Sequence, residues 1–262
     1  ENRHRAMAGI IEFGELAMKE EISSNDQTTV YRAIFRKRQE VAVKVFTKTS
    51  NELYDSSIKE EAAREAALMQ TLPPHPNVIG FVGLLLEPLG IVTQLAEEGS
   101  AADLLRRMHS GPGLSWTQLL RVALDIAIAL RHLHQYTVLH RDIALRNVVV
   151  GADWKCRVCD FGMARMIFHH GQYLPTKEEE QRMPLLWLAP ELLEHAAAAV
   201  PMRYTREADV WAFGITMWEI VTPGQSDPYP ELSNAEVVSQ VRLGGRPSLL
   251  GCPTVIRDII QR

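Results

Sequence analysis

The sequence predicts an α+β fold of two unequal lobes: a small, mainly antiparallel sheet with one helix over about residues 10–94, then a larger, mainly helical part over about 100–262. Three observations carry this. Val30 to Phe35, the basic turn Arg36-Lys37-Arg38 and Glu40 to Phe46 alternate as the two strands of a hairpin. Composition changes abruptly at Ala96-Glu97-Glu98-Gly99-Ser100, a polar connector over about 94–99. Beyond it, Thr117 to His134, with its apolar positions read at Leu120, Leu124, Ala127, Leu130 and Leu133, and Asp209 to Ile220 are long apolar runs of helical length.

With 262 residues the chain can bury a large core, and 46% hydrophobic with 23% charged residues is ordinary for a water-soluble globular protein. A net charge of −4 argues against a general nucleic-acid surface. No run of eighteen apolar residues is present, so no segment of this chain is expected to span a membrane. The chain opens on Glu1 with charged residues, which suggests a domain excised from a longer protein. That leaves room for an anchor elsewhere, and places the domain in the cytoplasm or on the cytoplasmic side of a membrane. Cys156, Cys159 and Cys252 make no disulfide framework. Cys156-Arg157-Val158-Cys159 has redox or zinc spacing, but on a strand residues three apart face opposite sides and no second ligand pair follows.

In the small part, a helix is expected from about Ser57 to Thr71, closed by Pro73-Pro74. On a helical wheel Ile58, Ala62, Met69 and Leu72 share a face with Glu65 in its middle. A carboxylate there needs a cation. Glu65 is the first choice for that role, and Glu61, at the stripe's edge, is the fallback. Lys44 ends the run Val41-Ala42-Val43 and is expected to point into a cleft. Two further strands bracket Glu87-Pro88, ending at Leu89 to Gln94.

The stretch His140-Arg141-Asp142-Ile143-Ala144-Leu145-Arg146-Asn147 lies between a helical run and Val148-Val149-Val150, so it reads as a loop held by rigid elements. Asp142 and Asn147, five apart, can turn toward one point, where a carboxylate takes a hydroxyl proton and a carboxamide oxygen binds a cation. Asp160-Phe161-Gly162 follows thirteen residues after Asn147. Together these oxygens suit magnesium carrying a nucleotide. His132 and His134 are two apart on a helix, so core and cap roles are expected rather than metal ligation. From Asp160 to Glu191, with His169-His170, Gly171, Tyr173, Thr176 and Glu178-Glu179-Glu180, the residues read as loop throughout.

Val41-Ala42-Val43-Lys44, Glu65, the loop around Asp142, Asp160-Phe161-Gly162, Ala189-Pro190-Glu191 and Asp209-Val210-Trp211 occur in an order and spacing that resembles a eukaryotic protein kinase catalytic domain. The resemblance covers nearly the whole chain and implies a two-lobed kinase fold using ATP and Mg²⁺. It implies that Lys44 holds phosphates and is itself held by Glu65. Asp142 would act as base with Arg146 and Asn147 beside it, and Asn147 with Asp160 would hold the metal. It further implies that Ser23, Val30, Ala42 and Val149 line the nucleotide pocket, with Thr93 at its back. Gln94 and Ala96 would offer backbone hydrogen bonds to adenine, Asp103 would lie near the ribose, and Asp209 would brace the catalytic loop. Arg141 and Arg165 would leave positive charge for a phosphorylated Tyr173. The family's usual arginine partner for Glu191 lies past the last residue, so a less stable lower lobe is expected.

One stretch departs from the family. Where G-x-G-x-x-G-x-V would stand, Ser23 through Val30 reads Ser-Ser-Asn-Asp-Gln-Thr-Thr-Val, with all three glycines replaced. Glycine lets the backbone approach phosphates; Asn25 tolerates a positive φ, while Ser23 and Thr28 add side chains and Asp26 adds charge. A weak ATP site in an active enzyme, or a pseudokinase binding module, are the two resulting expectations. Ala144 and Arg146, with Pro184-Leu185-Leu186-Trp187-Leu188-Ala189-Pro190-Glu191, resemble tyrosine kinases, so the expected partner is a tyrosine-containing protein substrate. Leu186 and the Val-Ala-Val-Lys-Val run instead suit tyrosine-kinase-like serine/threonine enzymes.

Overall fold

Six strands wrap the smaller lobe in the computed structural model, which describes residues 9–47, 52–109, 113–167, 171–198, 201–223, 227–249 and 252–261. They are β1 (Ile10–Ile11), β2 (Leu16–Ser24), β3 (Thr28–Phe35), β4 (Gln39–Phe46), β5 (Phe81–Leu86) and β6 (Leu89–Gln94). Spatial order is β1-β5-β6-β4-β3-β2, antiparallel except for the β1–β5 pair. The β3–β4 turn puts Arg36 and Lys37 at φ 48° and 59°, the left-handed pair that matches strand twist in a tight hairpin. Helix α1 (Glu52–Thr71) follows β4 in the chain and packs against β5 and β6.

The larger lobe follows with β7 (Gly99–Ser100), α2 (Ala101–His109) and α3 (Trp116–Gln135), then β8 (Val138–Leu139), β9 (Val148–Val150), β10 (Cys156–Val158) and β11 (Arg165–Met166). Helices α4 (Lys177–Gln181), α5 (Pro190–Ala198), α6 (Arg206–Val221), α7 (Asn234–Arg242) and α8 (Thr254–Gln261) complete it. Short ladders β10-β9-β7 and β11-β8 hold the loops between them. This is the two-lobed kinase architecture that the sequence predicts.

One face of the sheet buries Ala33, Val41, Val43, Leu85 and Val92 completely, as strict alternation requires. A second core runs unbroken from Leu68, Met69 and Ile91 of the small lobe through Ile126, Leu133 and Phe161 to Met217 and Ile220 of α6. Apolar burial therefore joins the lobes as well as filling them.

Three expectations change. Helix α1 begins at Glu52, five residues before the expected start at Ser57. Leu120 and Leu124 of α3 are exposed, and Leu119, Ala123, Ile126, Leu130 and Leu133 form its buried stripe. The 160–191 stretch is not loop throughout: Thr176 caps α4, accepting from Glu179 N, while the Glu179 side chain accepts from Thr176 N at 3.1 Å. That T-x-x-E box satisfies two helix-end donors reciprocally. His169-His170 lies outside the described residues.

Candidate active site

Antiparallel register sets Ser23 opposite Val30, Val30 opposite Lys44, Lys44 opposite Ile91 and Ala42 opposite Thr93. Opposed residues share a face, as do residues two apart on one strand. Ser23, Val30, Ala42, Lys44 and Thr93 are thereby brought to one face, opposite the apolar one. Val149 of β9 is half-buried against the core that reaches this cleft from below.

Lys44 Nζ lies 2.8 Å from Asp160 Oδ1 and 3.4 Å from Glu65 Oε2. Glu65 is buried at the centre of the α1 stripe, and its Oε1 accepts from Phe161 N at 3.2 Å. The carboxylate thus ties α1, β4 and the Asp160 turn together. Burial opposes the Lys44 charge, but the Asp160 and Glu65 carboxylates outweigh it and raise the ammonium pKa. Burial likewise raises Glu65 beyond what Lys44 restores, whereas at Asp160 the closer Lys44 overcomes burial and lowers the pKa. Asp160 is the firmer anion, as its shorter distance requires. Glu61 does not share this site; it pairs with Arg182.

The catalytic-loop segment hangs from α6. Asp209, fully buried, accepts from His140 N and Arg141 N at 2.9 Å each, from Tyr204 Oη at 3.2 Å, and is bonded to His134 Nε2 at 3.0 Å. His132 Nε2 meets Pro73 O at 3.0 Å, so both histidines have structural partners. Held this way, Arg141 adopts φ 68°, and Asp160 adopts φ 60°; such non-glycine conformations cost about 1–3 kcal/mol and persist where the surroundings over-determine them. Asp142 faces the cleft with one oxygen bonded to Arg146 and the other accepting from Asn147 Nδ2 at 2.6 Å. Asn147 Nδ2 also donates to Asp142 O at 2.8 Å, which turns the carboxamide oxygen away from Asp142.

The β2–β3 turn is closed on itself. Asn25 Oδ1 accepts from Gln27 N at 2.9 Å, Thr28 N at 2.8 Å and Thr28 Oγ1 at 3.3 Å, while Asn25 N donates to Thr28 O at 2.9 Å. Backbone donors that a glycine loop would aim at phosphate are spent inside this Asx-type turn. Asn25 does not take a positive φ, contrary to its expected use. In the connector, Gln94 N donates to Gly80 O at 2.8 Å and Ala96 O accepts from Gly99 N at 3.2 Å, so any adenine contact there falls to Gln94 O and Ala96 N. Asp103, at the start of α2, is exposed and already bonded to Ser100 Oγ at 2.7 Å and Arg106 at 2.6 Å.

Within the larger lobe, Tyr173 packs its ring over the buried Arg141 guanidinium at 4.6 Å and donates its hydroxyl to Glu179 Oε2 at 2.9 Å. Glu179 also binds Arg165 and lies 3.6 Å from Arg141. Burial would raise the Glu179 pKa, but Arg141 and Arg165 outweigh it and lower the value. The two arginines expected to offer positive charge to a phosphorylated Tyr173 already share the one Glu179 carboxylate.

The profile of the family described as "Protein tyrosine and serine/threonine kinase" matches residues 16–262. The chain belongs to that family. It is similar to the tyrosine-protein kinase transforming protein ros of UR2 avian sarcoma virus, 38% identical over 78% of this chain and 52% of the viral protein. It is similar to tyrosine-protein kinase Btk of Drosophila melanogaster, 32% identical over 88% of this chain and 27% of that protein. Ephrin type-A receptor 3 of Danio rerio matches at 29% identity over 98% of this chain and 25% of the receptor. The chain thus spans about half the length of the viral relative and less of the others.

Within this kinase domain the donor set fits a magnesium nucleotide. Among the described residues no three His, Cys, Asp or Glu side chains form a metal site of their own. Asn147 and Asp160 offer hard oxygens, which suits a small cation that keeps waters and takes phosphate oxygens as its remaining ligands. Cys156 and Cys159 belong to no such group among the described residues, and burial raises both thiol pKa values, Cys156 to about 12. Three residues escaped the sequence reading. Asn25 and Glu179 carry local signals, an Asx turn and a T-x-x-E box. Glu219, in α6, sits in an apolar run and has no local signal; only its distant contacts reveal it.

Proposed function

We propose that residues 1–262 form one protein kinase domain, with its connector over about 94–99, that transfers the ATP γ-phosphoryl group to a protein tyrosine. The observation that carries this reading is the Lys44–Glu65–Asp160 charge triangle, linked to the Asp142–Asn147 pair by the Cys159 N to Asn147 O hydrogen bond one residue before Asp160. All of phosphoryl transfer's protein parts other than the phosphate loop are assembled, and that chemistry depends on positioning and electrostatics.

In this reading Ser23, Val30, Ala42, Thr93 and Val149 enclose the base and sugar, and Gln94 O with Ala96 N meets adenine. Asp103 turns from Arg106 toward the ribose. Asn147 and Asp160 would hold magnesium, whose charge would offset that of the phosphate oxygens. Lys44 positions the phosphates and leaves Asp160 in part to do so. Asp142 accepts the tyrosine hydroxyl proton as that oxygen attacks, and Arg146 and Asn147 hold the carboxylate in place. The tyrosine preference is supported by Arg146, four residues after Asp142 with Ala144 between, and by relatives named tyrosine kinases. Asp142→Asn is expected to cut phosphate transfer to a tyrosine peptide by roughly 10²–10⁴-fold, the usual range for a general base, while leaving the nucleotide Kd unchanged. Equal loss of both sinks the assignment.

The closed Asn25 turn favours one competing reading, a pseudokinase module that binds partners and transfers nothing. Calorimetry with Mg²⁺-ATP decides first: no heat at several millimolar nucleotide supports the module. Binding that Lys44→Met abolishes supports the enzyme.

A further inference from the structure

Glu219 is a carboxylate in the middle of a buried helix, flanked by the buried Ile215, Thr216, Met217, Trp218 and Ile220. Its Oε2 accepts from Leu145 N at 3.0 Å and from Trp187 Nε1 at 3.2 Å. One oxygen therefore joins α6 to the catalytic loop and to the 3-10 turn Leu185–Trp187. Arg146, beside Leu145, rests its guanidinium over the Trp187 ring at 4.9 Å and binds Asp142. The contacts run in sequence from Glu219 through Trp187 and Arg146 to Asp142.

A purely structural duty explains half of this. Leu145 N opens a 3-10 turn and needs an acceptor in a buried place. It does not explain the second donor, because an indole edge could have been left facing solvent. Burial raises the pKa of Glu219, and the Leu145 and Trp187 N–H groups and Arg146 offset part of that cost. Geometry shows what the second bond achieves. One oxygen of Asp142 accepts from Asn147 Nδ2 and the other binds Arg146, whose guanidinium lies over the Trp187 ring. Trp187 therefore bears on the Asp142 carboxylate through Arg146.

We propose that Glu219 is a positioning residue for the tyrosine acceptor: it locks the Trp187 indole as the plate on which Arg146 lies, and so sets the direction of the Asp142 carboxylate. This rests on the phosphotransfer reading above. The lock acts on the reacting geometry and leaves the nucleotide side untouched.

The test combines nucleotide Kd by calorimetry, kcat and KM for a tyrosine peptide at saturating ATP, and the Trp187 indole N–H resonance in nitrogen-15 tryptophan-labelled protein, assigned by its loss in Trp187→Phe. Glu219→Gln retains a carbonyl for both donors and is expected to hold kcat within about threefold of wild type, with the resonance nearly unmoved. Glu219→Leu is expected to shift the resonance and lower kcat by roughly tenfold or more with nucleotide Kd unchanged, the scale of a sub-ångström misplacement. Trp187→Phe keeps Leu145 N satisfied, so it reports even where Glu219→Leu fails to fold; its kcat is expected to fall while peptide KM moves less than twofold. Trp187→Phe with an undiminished kcat, in a wild type that transfers phosphate, overturns the role of Glu219 alone. A wild type that binds nucleotide and transfers no phosphate overturns the phosphotransfer reading instead.

Discussion

Lys44 is shared unequally, 2.8 Å from the partly exposed Asp160 and 3.4 Å from the buried Glu65. Removing it should harm the two carboxylates differently. Asp160, 44% exposed, can turn to water, whereas Glu65, 4% exposed, keeps only Phe161 N and loses its cation. Lys44→Met is expected to cost about 3 kcal/mol, the scale of stranding a buried charge, read by urea denaturation. Glu65 carries a raised pKa already, and the substitution raises it further. A carboxylate whose folded pKa is raised favours the fold when protonated, and that contribution is lost as pH rises through the folded value. The deficit of Lys44→Met should therefore shrink on going from pH 7.5 to 5, and Lys44→Met/Glu65→Gln should be more stable than Lys44→Met at pH 7.5. A deficit independent of pH counts against the stranded charge. Sequence made Lys44 and Glu65 legible as partners through the apolar stripe around Glu65. It left invisible which carboxylate Lys44 prefers, because that depends on a turn 116 residues away.

Single elements carry the next two expectations. The Asx-type turn between β2 and β3 uses Asn25 Oδ1 to consume two backbone N–H groups and a hydroxyl. Asn25→Gly frees them, and one or two recovered charge-assisted bonds should tighten Mg²⁺-ATP binding by about tenfold by calorimetry. An unchanged Kd would mean that this hairpin never reaches the phosphates. Helix α4 is a single turn and a half whose existence depends on Glu179, which caps it and binds Arg165. A phosphate on Tyr173 adds nearly two negative charges against that carboxylate, and the arginines cannot fully serve both. Phosphorylation of Tyr173 is thus expected to speed amide exchange over residues 177–181, and Glu179→Ala should do the same without phosphate. Slower exchange in the phosphorylated protein would show a phosphate and carboxylate accommodated together. Here the sequence reading fell short for a physical reason: acidic residues in a row read as solvated loop, and only the Thr176 spacing says otherwise. Hairpins and long helices were legible because their periodicity survives in any context; the face of α3 was not, since Leu119 and Leu120 are equally apolar and only the neighbours decide.

At the scale of the molecule, one apolar core passes from the sheet through Phe161 into α6. Two lobes built on a shared core should unfold together. Calorimetric melting of the described architecture is expected to show one transition, displaced as a unit by nucleotide; at a hundredfold excess over Kd the gain is about 2.7 kcal/mol. Two separable transitions would put the lobes on independent footings. The order of motifs along the chain made the whole architecture readable, while Glu219 escaped because both its contacts lie more than thirty residues earlier in the chain.

The Lys44–Asp160 contact has a kinetic side. Before any nucleotide arrives, the protein has already filled the cleft with its own cation and anion, each the other's ligand. In the proposed phosphotransfer reading, nucleotide entry would be an exchange, with Asp160 passing to the metal and Lys44 to the phosphates. Added salt loosens the resident pair as well as the incoming one, so the affinity should respond to ionic strength less steeply than the charge on a triphosphate alone would suggest.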